Sequence, residues 1–164
     1  MLKSFLLNLS FLVTAVFAGQ SWNAQMQVQF LKPPSASMKE FQETVKAKGK
    51  PGIVFVTQEW CGACDFLKSN INESALKDRM NEFTVMSVEG DAGHAFQKDD
   101  NKDDYVPRVY FLNKDGTFYE RGVAPNPEFE FFFPGADSVL KILDMLKADN
   151  EKMEAVPATS QGEM

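Results

Sequence analysis

The chain has few of the residues that bind metals or nucleic acids. Its 164 residues include two cysteines and one histidine, and no segment is rich in lysine or arginine. A structural zinc site needs four ligands, so acidic residues would have to complete a set begun by Cys61, Cys64 and His94. The net charge of −6, spread along the chain, leaves no basic surface for a phosphate backbone. We therefore predict no metal site and no nucleic-acid partner.

Long hydrophobic runs are also scarce, and the one clear run lies at the N-terminus. Residues 5–17 are mostly apolar, Lys3 precedes them, and small residues at Val16 and Ala18 form a cleavage pattern before Gly19. The run is shorter than the roughly 18 to 20 residues of a spanning helix, which makes a membrane anchor the weaker alternative. We predict a signal peptide over 1–18, no membrane association after its cleavage, and an oxidising compartment that permits disulfides.

The rest of the chain has the composition of one domain. It is 44% hydrophobic and 24% charged, enough for a single core at this length. We predict an N-terminal extension over 19–34, a domain over 35–147 and a disordered tail over 148–164 that lacks apolar periodicity. The last four residues are not a Lys-Asp-Glu-Leu retention signal. The expected location is therefore the secretory pathway, either the endoplasmic reticulum lumen or outside the cell, and we expect a monomer.

Hydrophobic periodicity predicts alternating helices and strands. Met38, Phe41 and Val45 recur at helical spacing between Ser37, a suitable N-cap, and Gly49, a suitable stop. The predicted elements begin with a helix over 38–48, a strand over 53–57 and a helix after the cysteines. The apolar side of that second helix is predicted to carry Phe66, Leu67, Ile71, Ala75, Leu76 and Met80. A strand over 83–88, an acidic loop or loose helix over 91–104, a hairpin of 109–112 with 117–121 around Asp115-Gly116, and a helix capped by Ser138 that reaches Leu146 complete the order. This order predicts an α/β fold with a central mixed β-sheet flanked by helices.

The two cysteines are three positions apart, between a buried strand and a helix. A disulfide between Cys61 and Cys64 closes a very small ring, so it would restrain little of the unfolded chain. A reactive pair is the better interpretation, because a C-x-x-C motif at this junction is typical of redox enzymes. The helix N-terminus stabilises an anion there, which makes Cys61 the expected nucleophile. Cys64, one turn later, is the expected resolving thiol.

Several motifs together resemble the thioredoxin superfamily. They are Trp60-Cys61-Gly62-Ala63-Cys64, the segment 105–112 with Val106-Pro107-Arg108, and Asp115-Gly116. The resemblance covers residues 35 to 147 and implies a thioredoxin fold with an acidic loop and an aromatic-rich insertion before the last helix. Within the superfamily, the chain is most similar to small thiol–disulfide oxidoreductases of the endoplasmic reticulum. Their sister group, the anterior gradient proteins, has serine in place of the second cysteine, so Cys64 favours the two-cysteine branch.

The resemblance also implies how substrates bind. It implies a cis bond between Val106 and Pro107, with the Val106 backbone free to pair with an extended substrate. Trp60, Gly62 and Ala63 are the other predicted substrate contacts. On position alone, Pro107 could equally mark the entry to an edge strand. The implied partners are proteins with disulfides or thiols, and glutathione is a candidate electron donor, with no cofactor other than the redox-active disulfide.

Two local departures from the superfamily limit the resemblance. Phe55 stands where its members have a buried acid that moves the proton of the second cysteine, so the acceptor for Cys64 is unassigned. Glu59 places a negative charge near Cys61 and opposes its ionisation.

We predict a protein-disulfide oxidoreductase of the glutathione type. The alternative is a non-catalytic protein that binds clients through Trp60, Pro107 and phenylalanines 129, 131, 132 and 133, although we expect those phenylalanines to belong to the core.

Overall fold

A computed structural model describes residues 37–73, 75–98 and 103–155 of the chain. The predicted signal peptide, the predicted extension over 19–34 and the last nine residues lie outside these ranges. The described elements are helices α1 (Met38–Lys48), α2 (Gly62–Glu73), α3 (Leu76–Arg79) and α4 (Ala136–Ala155), strands β1 (Gly52–Thr57), β2 (Thr84–Glu89) and β3 (Arg108–Leu112), and 3-10 helices at Met80–Glu82 and Gly90–Phe96.

The three strands form one mixed sheet in the order β2-β1-β3. β1 pairs in parallel with β2, so that Ile53 lies opposite Val85, and antiparallel with β3, so that Ile53 also lies opposite Phe111. All six residues of β1 are buried, as expected for a central strand covered on both faces. The predicted α/β fold with a mixed sheet between helices is confirmed.

Helix α1 begins and ends where its sequence signals predict. The Ser37 hydroxyl accepts a hydrogen bond from the backbone N–H of Glu40 at 3.4 Å, which satisfies one of the free donors at a helix start. Gly49 closes the helix with a positive φ of 62°, a conformation that favours glycine. Met38, Phe41 and Val45 are buried, which confirms the predicted apolar face.

Two hydrophobic clusters cover the two faces of the sheet. Ile53, Phe55 and Val85 face the cluster that α2 and α4 complete, whereas Val54 and Val56 face the cluster under α1. This alternation follows from the twofold side-chain period of a strand. The alternation therefore determines which side chains of β1 and β2 face α2, the helix that carries the cysteines.

In the helix after the cysteines, two of the residues predicted to lie on the buried side are exposed. Leu67, Ile71 and Leu76 are buried, but Phe66 is 60% exposed and Ala75 is also exposed. Phe66 immediately precedes Leu67, so it points about 100° away from the buried side of the helix. The prediction that Phe66 and Ala75 lie on the apolar face was therefore wrong.

The predicted hairpin is present only in part. The chain turns at Gly116, and Phe118 forms an isolated bridge with Leu112, but residues 117–121 do not form a regular strand. The Gly122 N–H donates to the Tyr119 carbonyl at 2.8 Å, and this turn ends the pairing. Beyond it, the Val109 N–H donates to the Phe131 carbonyl at 2.8 Å, so the aromatic-rich insertion takes up the free edge of β3.

The last helix is longer than predicted at both ends. It begins at Ala136, and the hydroxyl of Ser138, inside its first turn, donates to the Gly135 carbonyl at 2.6 Å instead of capping the helix. It continues to Ala155, so residues 148–155 are not part of a disordered tail. The reason is Asn150, which is 1% exposed and accepts a hydrogen bond from the Lys114 N–H at 3.1 Å.

The remaining expectations concern the loops and the aromatic insertion. The acidic segment begins with the 3-10 helix Gly90–Phe96, in keeping with a loop or loose helix. Phe131 and Phe133 are buried, Phe132 is half-buried and Phe129 is 38% exposed, so two of the four phenylalanines lie in the core. Across the described ranges, none of the helices has the length and apolar content needed to cross a bilayer.

Candidate active site

The two cysteines form a disulfide where β1 passes into α2. Their Cα atoms are 5.2 Å apart, within the normal range for a disulfide. Cys61 is 6% exposed and Cys64 is fully buried. Cys61 is therefore the less buried of the two cysteines. Their roles as nucleophile and resolving thiol stay predictions.

Backbone N–H groups at the start of α2 surround Cys61. The Cys64 N–H lies 3.1 Å from the Cys61 Sγ, and the Cys61 carbonyl accepts from the N–H groups of Cys64 and Asp65 at 2.9 and 3.2 Å. Cys61 thus occupies the N-terminal edge of the helix, where the free amide donors and the helix dipole favour a negative charge. This arrangement stabilises a thiolate at Cys61 once the disulfide is reduced.

The loop before β3 closes the other side of the disulfide. The Val106–Pro107 bond is cis, and the Cys61 Sγ lies 3.8 Å from the Val106 carbonyl oxygen. Pro107 is buried and Val106 half-buried. The loop therefore presents the main chain of Val106 directly beside the Cys61 sulfur.

The predicted substrate contacts surround this sulfur. Trp60 is 78% exposed, and Gly62 and Ala63 are exposed on the first turn of α2. Trp60 and Val106 also line one cavity of about 170 Å³. Of the five predicted substrate-binding residues, all but the buried Pro107 are thus at least partly exposed close to Cys61. Their individual roles stay predictions.

A buried arginine anchors the loop. Arg108 is 3% exposed and donates from Nη1 to the Tyr105 carbonyl at 2.7 Å and from Nη2 to the Gly93 carbonyl at 2.9 Å. Sequence reasoning missed this role, because a charged residue at the start of a strand gives no sign that it is buried. Gly93 also packs closely against β1, since a β-carbon there would overlap the Val56 side chain.

A buried tyrosine and carboxylate lie behind the same loop. The Tyr110 hydroxyl donates to Asp103 Oδ2 at 2.5 Å, and the Lys98 N–H donates to the same oxygen at 2.7 Å. Burial, reinforced by this carboxylate, raises the pKa of Tyr110 above its usual range. Tyr110 therefore stays protonated and holds the acidic segment against the sheet.

Two further features near the disulfide were not predicted. Phe66 is a large exposed apolar side chain on α2, five positions after Cys61. Lys68, one turn after Cys64, forms an ion pair with Glu89 at 2.6 Å. The spacing of Lys68 from Cys64 was visible in the sequence, but only the parallel pairing of β1 and β2 brings Glu89 to it.

Two other groups singled out in the sequence are Phe55 and His94, and His94 lines the same cavity as Trp60 and Val106. Phe55, at the position of the missing acid, is 6% exposed and belongs to the core. His94 is exposed and lies 3.9 Å from Asp104. Among the residues that the structure describes, no three His, Cys, Asp or Glu side chains cluster as metal ligands do.

Comparison with known proteins agrees with this geometry. A family model described as Thioredoxin matches residues 33–130, more than half of the chain. Similar solved structures include thioredoxin f from spinach chloroplast, with 16% identity over 68% of this chain and 90% of that chain and a TM-score of 0.45. A DsbH oxidoreductase has 21% identity over 79% and 95% of the two chains and a TM-score of 0.45. Thioredoxin O2 from Arabidopsis thaliana, in its oxidized state, has 23% identity over 68% and 88% and a TM-score of 0.40.

These TM-scores lie below 0.5, so the assignment rests on the family match, which includes both cysteines and Pro107. A disulfide at the start of a helix, beside a proline loop, is the arrangement with which such proteins exchange disulfides. The chain belongs to the thioredoxin family and is a disulfide oxidoreductase of that family.

Proposed function

We propose that this chain catalyses thiol–disulfide exchange on protein substrates in the secretory pathway. The observation that carries the proposal is the position of the Cys61 sulfur, at the start of α2 and 3.8 Å from the Val106 carbonyl. A substrate chain that pairs with the backbone of this loop would bring its own sulfur to Cys61. Recognition of main chain rather than of one side chain suits an enzyme with many substrates.

The reaction consists of two displacements. In the reduced protein, the Cys61 thiolate attacks a substrate disulfide, forms a mixed disulfide and releases one substrate sulfur as a thiolate. Cys64, as a thiolate, then attacks the Cys61 sulfur and releases the second substrate sulfur. The substrate gains two electrons, and the protein loses two as the Cys61–Cys64 disulfide forms. The reverse sequence oxidises a substrate dithiol.

The surface beside the disulfide supports a protein substrate. Trp60, which immediately precedes Cys61, is 78% exposed, and Phe66 on α2 is 60% exposed. Large exposed apolar side chains offer contact area to a protein partner. A small disulfide such as oxidised glutathione could not cover both side chains. The same surface is the specific observation in favour of the alternative function, client binding without catalysis.

The proposed compartment and electron donor rest on the sequence and its resemblances. The signal-peptide pattern over 1–18 supports entry into the secretory pathway, with the endoplasmic reticulum lumen or the outside of the cell as the proposed destination. The motif around Cys61 resembles that of thioredoxin domain-containing protein 12, a small protein of the endoplasmic reticulum. We propose the same type of activity, glutathione-linked protein-disulfide reduction or oxidation by a monomer.

The test is a redox titration of the mature chain in glutathione buffers, read by alkylation of free thiols, together with reduction of insulin. We expect reversible titration near the redox poise of the endoplasmic reticulum and catalysed insulin reduction. Cys61→Ser should abolish catalysis, and Cys64→Ser should trap insulin in a mixed disulfide.

A Cys61–Cys64 disulfide that is not reduced at any glutathione ratio, with no catalysed exchange, would overturn the enzyme proposal. Client binding that persists in the double Cys→Ser variant of such an inactive protein would support the alternative.

A further inference from the structure

The resolving step requires a base, and the structure offers one at an unexpected position. Cys64 is fully buried, and its thiol must lose a proton before it can attack Cys61. Phe55, which faces α2 from β1, is apolar and cannot accept that proton. Deprotonation of Cys64 is a step of the proposed thiol–disulfide exchange, so any base assigned to it rests on the proposed function.

Glu89 lies on the same face of the sheet as Phe55. Side chains alternate along a strand, and Ile53 and Phe55 belong to the cluster under α2, so Thr57 also faces α2. In the parallel pairing, Thr57 lies opposite Glu89. Parallel strands end at the same edge of a sheet. Glu89, the last residue of β2, therefore lies at the edge where β1 ends and the segment with the cysteines begins.

Lys68 connects this carboxylate to the helix of Cys64. It follows Cys64 by four residues, so both side chains lie on one face of α2. Long helical side chains lean toward the N-terminus of their helix, which directs the Lys68 ammonium toward the turn that carries Cys64. There its Nζ contacts Glu89 Oε1 at 2.6 Å. The two side chains are 33% and 30% exposed, so the pair borders both the core and the solvent.

The Thr57 hydroxyl is a second polar group on the face of the sheet that α2 covers, opposite Glu89 in the strand pairing. It is 2% exposed and has no hydrogen-bond partner among the described residues. A hydroxyl buried in this way is a binding position for a water molecule. A water bound there would lie between the face of α2 and Glu89.

We propose that Glu89 accepts the proton of Cys64 through one water molecule, with Lys68 as the positioning residue for its carboxylate. In this step the Cys64 S–H bond breaks, the proton passes to the water, and the water gives a proton to Glu89. The Cys64 thiolate then forms a bond to the Cys61 sulfur, and the bond from Cys61 to the substrate sulfur breaks with its electron pair. Glu89 returns its proton to solvent, which its partial exposure permits.

No competing carboxylate faces this position in the described part of the chain. Asp65 on α2 and Asp137 on α4 are exposed, as are Glu59 and Asp91 in the adjoining loops. The inner side of α4 is apolar where it meets the cluster. The remaining ionisable groups near this face have other partners: Arg79 binds Glu82 and Asp144, and Tyr119 binds Asp149.

The test measures the two displacements separately. Reduced protein is mixed with a disulfide-bonded peptide, the reaction is quenched with acid, and mass spectrometry measures how fast the mixed disulfide at Cys61 forms and disappears. In Glu89→Gln we expect its disappearance to slow about 100-fold at neutral pH, the lower end of a general base's contribution. The loss should shrink as the pH rises, because hydroxide then removes the proton. Lys68→Met should slow the same step, and Lys68→Arg should restore most of the rate.

Glu82→Gln is the matched control, because it removes another ion-paired carboxylate, which binds Lys147 at 3.0 Å outside the site. It should leave both steps unchanged. A disappearance rate of Glu89→Gln within twofold of the wild type would overturn the inference, as would an equal loss in formation and disappearance, which would place the effect on Cys61. Failure of the wild type to form any mixed disulfide would overturn the proposed function itself and this inference with it.

Discussion

The Cys61 sulfur lies 3.8 Å from the carbonyl oxygen of Val106, 45 residues later in the chain. The contact joins two segments that are distant in sequence, the N-terminus of α2 and the proline loop before β3. The first favours a negative charge on the sulfur, and the second places backbone beside it, with which we propose that a substrate pairs. Arg108 and the 3-10 helix at Gly90–Phe96 hold the loop in place from behind, so the site depends on residues far from the C-x-x-C motif.

The exposed aromatic side chains of Trp60, next to Cys61, and Phe66, on α2, should contribute to binding of protein substrates. Trp60→Ala and Phe66→Ala should each raise KM for insulin about tenfold, corresponding to about 1.4 kcal/mol of lost contact, with little change in kcat. The reaction with a small aromatic disulfide should stay within twofold of the wild type. Met153→Ala, which truncates another exposed side chain, on α4, is the control. An equal loss with the small disulfide would mean that these residues act on the sulfur chemistry instead.

The turn at Gly116 should tolerate no other residue. Its φ is 85°, and a β-carbon there would overlap the Gln42 carbonyl oxygen. Gly49 also has a positive φ, 62°, but open space around it, so Gly49→Ala isolates the conformational cost of about 1 to 2 kcal/mol. We expect Gly116→Ala to reduce the free energy of unfolding by at least about 2 kcal/mol more than Gly49→Ala, measured by urea denaturation. Equal losses would contradict the contact with Gln42.

Asn150 should be essential for the end of α4. Its side chain accepts from the Lys114 N–H and donates to the Leu146 carbonyl at 2.7 Å. Asn150→Ala removes both hydrogen bonds of this buried side chain, and we expect a loss of about 1 to 3 kcal/mol in unfolding free energy. Glu151→Ala, at the next and exposed position, should change stability by less than about 0.5 kcal/mol. Similar values for the two variants would indicate that residues 148–155 do not pack as described.

Asp115 should make stability depend on acid pH. The Thr117 hydroxyl and N–H, at 2.7 and 2.9 Å, hold the pKa of the Asp115 carboxyl below its usual range. A depressed pKa stabilises the fold above about pH 4 and loses this effect as the pH falls through the folded-state value. Asp115→Asn keeps an acceptor oxygen but does not titrate. The variant should be about 0.5 kcal/mol less stable at neutral pH, and the difference should vanish in acid. A difference that is constant with pH would exclude this role.

The sequence alone determined the local features of this protein. Periodicity, Ser37 and Gly49 define α1; the apolar run of β1 defines a central strand; and the spacing of Cys61 and Cys64 at a strand–helix junction predicts a redox pair. These features depend on interactions within a few residues, which a sequence pattern displays directly.

Only the tertiary structure decided the features that join distant segments. Residues 117–121 do not form a regular strand, because the turn at Gly122 ends the pairing and Phe131 bonds to β3 at Val109. Helix α4 reaches Ala155, and Asn150 near its end is buried and bonded to Lys114. The burial of Arg108, the exposure of Phe66 and the meeting of Lys68 with Glu89 likewise depend on strand register and helix orientation. Such contacts exchange water for specific partners far apart in the chain, and no local pattern specifies which partner is near.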